Sequence, residues 1–245
     1  MKNWLIILFA IVPNLAFAAG ANVPLDEANN DLSDKASLQN GAKLFVNYCF
    51  GCHSMQYQRY ERVARDIGVP NDLIKGNLLL DPEAKVGDLM FNAMPEKSAA
   101  KWFGAPPPDL TLVARVRGTD WLYTYLRSFY VDPSRPFGVN NVVFPNVGMP
   151  HVLEELQGIP NPIVETHTVN GEEVSKVVGT KSDGTGELNT EEYDDAIRDL
   201  VNFLEYSGDP VKLERHAIGW WVMGFLVIFT IVVVLLKKEY WRDVH

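Results

Sequence analysis

The stretch NYCFGCHSM, residues 47–55, contains both cysteines of the chain, Cys49 and Cys52, with His53 directly after the second. Two cysteines at this spacing fit three chemistries: a redox disulfide, part of a metal site, or two attachment points for one covalently held cofactor. The flanking sequence separates them. In SLQNGAKLFVNYC, residues 37–49, Leu38, Ala42, Phe45, Val46 and Cys49 recur at helical spacing and form one apolar face. A thioredoxin-like dithiol expects a βαβ context, which a helix running straight into the motif does not supply. A structural zinc site would need two more soft ligands. There is no third cysteine, and His151, His167, His216 and His245 include no pair at H-x₃₋₅-H spacing. Covalent haem needs only what is present: Cys49 and Cys52 can each add to one vinyl group of a single porphyrin, and His53 supplies an axial imidazole.

That chemistry belongs outside the bacterial cytoplasm, and the N-terminus agrees. MKNWLIILFAIVPNLAFAAG begins with Lys2, continues with an apolar core interrupted by Pro13, and ends in Ala16-Phe17-Ala18. This is the pattern of a signal peptide over residues 1–18, cleaved after Ala18 or Ala19. At the other end, residues 217–236 (AIGWWVMGFLVIFTIVVVLL) carry no charge. Twenty such residues in a helix span about 30 Å, the thickness of a bilayer's hydrocarbon core. Trp220, Trp221, Tyr240 and Trp241 sit at its edges, and Lys237, Lys238 and Arg242 follow it. The expected organisation is a signal peptide (1–18), an N-terminal linker (19–35), a haem domain (36–210), a transmembrane helix (217–236) and a tail (237–245). Export puts the domain in the periplasm and the tail in the cytoplasm, as a single-pass protein of the bacterial inner membrane. The net charge of −9 excludes nucleic acid as a partner and suits a basic protein partner, or solubility alone.

If His53 occupies one axial position, the other decides whether the iron carries electrons or binds small molecules. Of the methionines beyond the signal peptide, Met55 is too near His53 to reach the opposite face, and Met223 lies in the membrane span. Met90 falls in an apolar, helical-looking run, DLMFNAM, and reads as core. Met94 precedes EKSAAKW and resembles a helix end. Met149 lies in VVFPNVGMPHV, where Pro145, Gly148 and Pro150 forbid regular helix and stiffen an extended strap. Met149 is the stronger candidate, with Met94 and His151 behind it.

Elsewhere, ELNTEEYDDAIRDLVNFLEYSGDP is an amphipathic helix with Asn189 and Glu192 as a capping pair and Ile197, Leu200, Val201 and Leu204 as its apolar stripe. Gly41 would let this helix cross the opening one closely, beside Phe45. Residues 163–178 alternate around Asn170-Gly171, a hairpin signal, and Lys181 to Gly186 reads as a flexible loop. GAPPPDLTLVARVRGTDWLYTYLRSF reads as a proline-stiffened loop entering helices, and either Arg115 or Arg117 could meet a haem propionate. The acidic positions between Asp183 and Asp199 fit a docking surface or a solvated helix face. The fold class is mainly α: a cytochrome c-like haem domain with a small β-hairpin excursion, plus one C-terminal transmembrane helix.

Several stretches together resemble one family: CFGCHSMQYQRY, PPPDLTLVARVRG, LRSFYVDPSRP, NNVVFPNVGMPHVLEELQG and EEYDDAIRDLVNFLEYSGDP. From about Ser37 to the C-terminus the chain resembles cytochrome c1, the haem subunit of the proteobacterial cytochrome bc1 (ubiquinol–cytochrome c reductase) complex. The resemblance implies one haem c on Cys49 and Cys52, with His53 and Met149 as iron ligands. It also implies Arg117 at a propionate, Pro108 lining the pocket and Trp121 as a nearby aromatic. Some members carry an extra disulfide for which this chain lacks the cysteines, so packing and prolines would hold the loop around Met149. The implied function is one-electron relay from the Rieske iron–sulfur protein to a soluble or tethered cytochrome c, beside cytochrome b in a dimeric complex. No quinone site is expected on this chain. The alternative is another membrane-tethered monohaem electron shuttle or an oxidase subunit.

Overall fold

The computed structural model describes residues 23–79, 81–169 and 172–244. The expected signal peptide and the Asn170-Gly171 turn lie outside them. Residues 23–34, part of the stretch read as a linker, lie against the domain without helix or strand: the Asp26 amide donates to Thr124 Oγ1 at 2.8 Å, and the Ala28 amide to Asp120 Oδ1 at 2.9 Å.

Asp34 caps the first helix, α1 (Lys35–Leu44), accepting from the Ala36 and Ser37 amides at 2.9 and 3.1 Å. Its buried face continues through a π turn, Phe45–Cys49. Strand β1 (Met55–Arg59) leads into α2 (Tyr60–Ile67), followed by a short turn of helix, α3 (Asn71–Ile74). Leu89–Met90 then forms β2, antiparallel to β1. The expected helical run around Met90 is therefore a strand; Met90 pairs with Met55 and both side chains bury in the core. EKSAAKW is itself helical, in α4 (Glu96–Phe103), so Met94 lies just before a helix start.

The proline-rich stretch enters α5 (Val113–Arg117) and α6 (Thr119–Arg127), separated by Gly118 at φ +89°. Strands β3 (Phe129–Val131) and β4 (Val139–Asn141) form a second small sheet, and α7 (Glu154–Gln157) is one turn. The hairpin pairs β5 (Asn161–Val169) with β6 (Glu172–Lys181), the Val169–Glu172 pair leaving two residues between the strands. The run from Lys181 to Gly186, expected as a flexible loop, is irregular after Lys181 but is tied to its neighbours. Lys181 belongs to β6, Asp183 accepts from the Ile159 and Thr185 amides, and a Cβ on Gly186 would lie 2.4 Å from the Leu156 carbonyl oxygen. One hairpin was expected; among the described residues there are three two-stranded sheets, two of them too short to show alternation.

Helix α8 (Thr190–Gly208) carries the expected capping box between Asn189 and Glu192, and buries Ile197, Leu200, Val201 and Leu204. It crosses α1 at Gly41, where a Cβ would stand 2.0 Å from the Asp199 carbonyl oxygen and 2.8 Å from Phe203 Cβ. Only a glycine permits that approach. Phe45 then packs on Phe203 with ring centroids 5.8 Å apart. The last helix, α9 (Lys212–Tyr240), contains the expected span and buries no residue against the domain.

Candidate haem site

The Cys-x-x-Cys-His segment is shaped by the π turn. The Phe50 amide reaches back to the Phe45 carbonyl at 2.9 Å, one residue further than in an α-helix. The Cys52 and His53 amides then both donate to the Cys49 carbonyl, at 3.1 and 2.9 Å. This winds Cys49, Cys52 and His53 onto the wall of a single cleft of about 400 Å³, lined mainly by apolar side chains. Cofactor sites run from about 300 to 1,000 Å³.

His53 is oriented by its own backbone neighbourhood: Nδ1 lies 2.7 Å from the Pro108 carbonyl oxygen. A carbonyl only accepts, so Nδ1 carries the proton and Nε2 of the neutral ring keeps its lone pair for a metal. Burial lowers the His53 pKa, with the Pro108 carbonyl and Asp109 opposing. The neutral, ligating form is therefore favoured. Cys49 and Cys52 form no disulfide, and burial pushes the Cys49 thiol up to about 12, Cys52 adding to the shift. Among the described residues no three His, Cys, Asp or Glu side chains group as a metal site.

Met149 lines the same cleft. The other sulfur candidates do not: Met55 and Met90 are in the core, Met94 is half-buried outside the cleft, and Met223 is exposed on α9. His151 also lies outside it, stacked on Phe129 with centroids 4.9 Å apart. Of the two arginines, Arg117 stands at the cleft rim, its guanidinium 5.0 Å from the Trp121 ring centroid and 5.9 Å from that of Phe144. Arg115 turns away to Asp209, 3.7 Å distant. Pro108 and Trp121 line the cleft as well. The residues thus fit a c-type haem: two thiols and an imidazole on one chain segment, a thioether on another, apolar walls and a cation at the rim.

Three further residues shape the site without a signal in the sequence. Tyr125 lines the cleft, stacks on Trp121 (4.9 Å, 11°) and donates its hydroxyl to Met149 Sδ at 3.4 Å. Burial raises its phenol pKa, so the donor form persists. Asn141, fully buried, donates from Nδ2 to the Tyr125 carbonyl at 2.8 Å and accepts at Oδ1 from the Val143 and Phe144 amides at 2.9 and 3.0 Å. Asn140 Oδ1 accepts from the Asn146 amide at 2.8 Å. Prolines and packing alone were expected to hold the Met149 strap; two asparagine side chains also bind its backbone.

A mainly helical domain with these groups around one apolar cleft, followed by a helix of membrane length, defines a membrane-anchored c-type cytochrome. The chain belongs to the Cytochrome C1 family, which it matches over residues 27–244. It is 51% identical to cytochrome c1 of Allochromatium vinosum across the full length of both chains. It is 45% identical, over 100% of its own length and 99% of the other, to a Nitrosomonas europaea protein named ammonia monooxygenase gamma subunit. A cytochrome c1 of Blastochloris viridis is 28% identical, over 86% of this chain and 82% of that one. As a member of this family the chain is a bc1-complex haem subunit that carries haem c through Cys49 and Cys52 and is anchored by its C-terminal apolar helix.

Proposed function

We propose that this chain relays single electrons from a Rieske iron–sulfur protein to a soluble or tethered cytochrome c, within a dimeric quinol-oxidising complex that also contains cytochrome b. The observation that carries the reading is that His53 and Met149, ninety-six positions apart in sequence, line one apolar cleft together with both cysteines. Haem c, when bound, supplies the one-electron iron couple. The chain's residues set its terms. The Pro108 carbonyl holds His53 with Nε2 free to ligate, and Met149 offers a thioether, a soft donor that favours the reduced metal. Arg117 would balance the charge of a haem propionate, and Pro108 and Trp121 would supply apolar wall to the macrocycle. The apolar walls exclude water, which keeps the site's dielectric low. The haem domain faces the periplasm and the tail the cytoplasm, in keeping with the apolar N-terminal segment and the basic residues after the span.

The test is redox potentiometry of the holoprotein. Met149→Leu should retain covalent haem and lower the potential by roughly hundreds of millivolts, within the ~0.8 V range that axial ligands govern. An unchanged potential would remove Met149 as a ligand and return Met94 and His151 to consideration. The name of the Nitrosomonas relative favours a second reading, a haem subunit serving a different membrane complex. Purification in mild detergent separates the two: cytochrome b and a Rieske protein should accompany this chain under the first, and other subunits under the second.

A further inference from the structure

We propose that Tyr125 is a positioning residue for the axial thioether: its hydroxyl fixes the orientation of the Met149 sulfur and withdraws electron density from it. Asn141 holds Tyr125 and the methionine strap in register for that contact. The inference rests on Met149 being the iron ligand proposed above.

A thioether sulfur is a weak hydrogen-bond acceptor. It has two lone pairs, and ligation to a metal uses one. The Tyr125 hydroxyl, 3.4 Å away, is placed to take the other. The ring that carries it has little room to swing. Trp121 stacks on it at 4.9 Å, and Phe129 meets it edge-on at 5.3 Å and 66°. Its backbone is fixed too, because the Tyr125 carbonyl accepts from Asn141 Nδ2, while Asn141 Oδ1 binds the first amides of the strap that leads to Met149. One buried side chain therefore ties the helix bearing the donor to the segment bearing the acceptor. Electron withdrawal makes the sulfur a poorer donor, and the oxidised, more electron-poor iron loses more by this than the reduced iron. The contact therefore favours reduction.

Tyr125→Phe keeps the ring and its stacking and removes only the hydroxyl. In the full-length, membrane-anchored holoprotein it should retain covalent haem. At a fixed ambient potential near the midpoint, the ratio of reduced to oxidised haem should fall by about threefold, and the sulfur-to-iron charge-transfer band of the oxidised form should shift. In a Met149→Leu background the same substitution should change nothing further, as a double-mutant cycle through the sulfur requires. If Tyr125→Phe does not accumulate, site-specific fluorotyrosine at position 125, a stronger donor of the same shape, should move the ratio in the opposite direction. A wild-type ratio and band in Tyr125→Phe, with Met149→Leu still lowering the potential, overturns the role of Tyr125 and leaves the ligand standing. An equal shift in the Met149→Leu background also overturns it, since the hydroxyl would then act by another route. An unchanged potential in Met149→Leu itself removes the ligand reading and this inference with it.

Discussion

Residues 45–53 and residues 139–151 both reach the haem cleft, but they are held there by different forces. The first segment extends the α1 helix. Phe45, Val46 and Cys49 are buried in the main core, and Phe45 packs on Phe203 of α8. The second has almost no regular structure beyond β4. It is hung on amide side chains, with Asn141 and Asn140 binding the amides of Val143, Phe144 and Asn146, and Arg135 donating to the Asn146 carbonyl at 3.1 Å. Packing is distributed over many contacts, whereas a few hydrogen bonds can be removed one residue at a time. Removing one side chain should therefore loosen the methionine wall locally, whereas disturbing the cysteine wall takes a change that forces its helices apart.

The largest effect should come from the attachment itself. Replacing Cys49 and Cys52 together by alanine should abolish covalent haem, visible as loss of the c-type band in a reduced pyridine-haemochrome spectrum, and should lower accumulation of the domain. Next comes the helix crossing behind the cysteine wall. Gly41→Val would force side-chain atoms against the Asp199 carbonyl, so α1 and α8 must separate. A loss of about 3 kcal/mol, the upper end of the usual cost of overpacking, is expected, measured by denaturant unfolding of the holoprotein. A midpoint unchanged from wild type would mean that the crossing is not under the constraint its geometry implies.

Asn141→Ala probes the other wall. It leaves the Val143 and Phe144 amides and the Tyr125 carbonyl without their side-chain partner. About 2 kcal/mol of destabilisation follows from unpaired buried polar groups, concentrated in the strap. Hydrogen exchange should show faster opening at 142–150 with little change in α1 or α8. Uniform loss of protection over the whole domain would mean that the two walls are not separately held.

The same contrast explains what the sequence revealed. The α8 capping box, its apolar stripe and the glycine at the crossing are periodic or local signals, and each was legible. So were the Cys-His segment and the membrane-length helix. The π turn was not, because one residue of extra winding leaves the helical spacing of Leu38, Ala42, Phe45 and Cys49 nearly intact. Pro145, Gly148 and Pro150 marked the Met149 strap as irregular, but the pattern could not say what binds it. Asn140 and Asn141 act across six positions or fewer along the strap, and Asn141 across sixteen to Tyr125; no periodicity records such bonds. Arg115 and Arg117 were equivalent by position alone, and only the family resemblance favoured Arg117; in the structure Asp209 takes Arg115.

The smallest expected effect lies at the outer end of the same amide chain. Asp132 Oδ2 accepts from Asn140 Nδ2 at 2.9 Å, and Oδ1 accepts from the Ser134 hydroxyl and amide at 2.6 and 3.1 Å. The Ser134 hydroxyl, then Asn140, hold its pKa below the ordinary 3.8. A depressed carboxylate pKa contributes stability that is present above the unfolded value and is lost as the pH falls through the folded one. Limited proteolysis of the strap should therefore be independent of pH above about 4 and should quicken below it, as the carboxylate protonates and Asn140 loses its acceptor. Asp132→Ala should cut at the faster rate already at neutral pH and lose most of the acid dependence. Because Asp132 is half-buried at the outer end of this chain of bonds, the change should stay local, leaving the haem spectrum and the α1–α8 core as in wild type. A pH response that survives in Asp132→Ala would place the acid-sensitive group elsewhere and detach this outer bond from the support of the methionine wall.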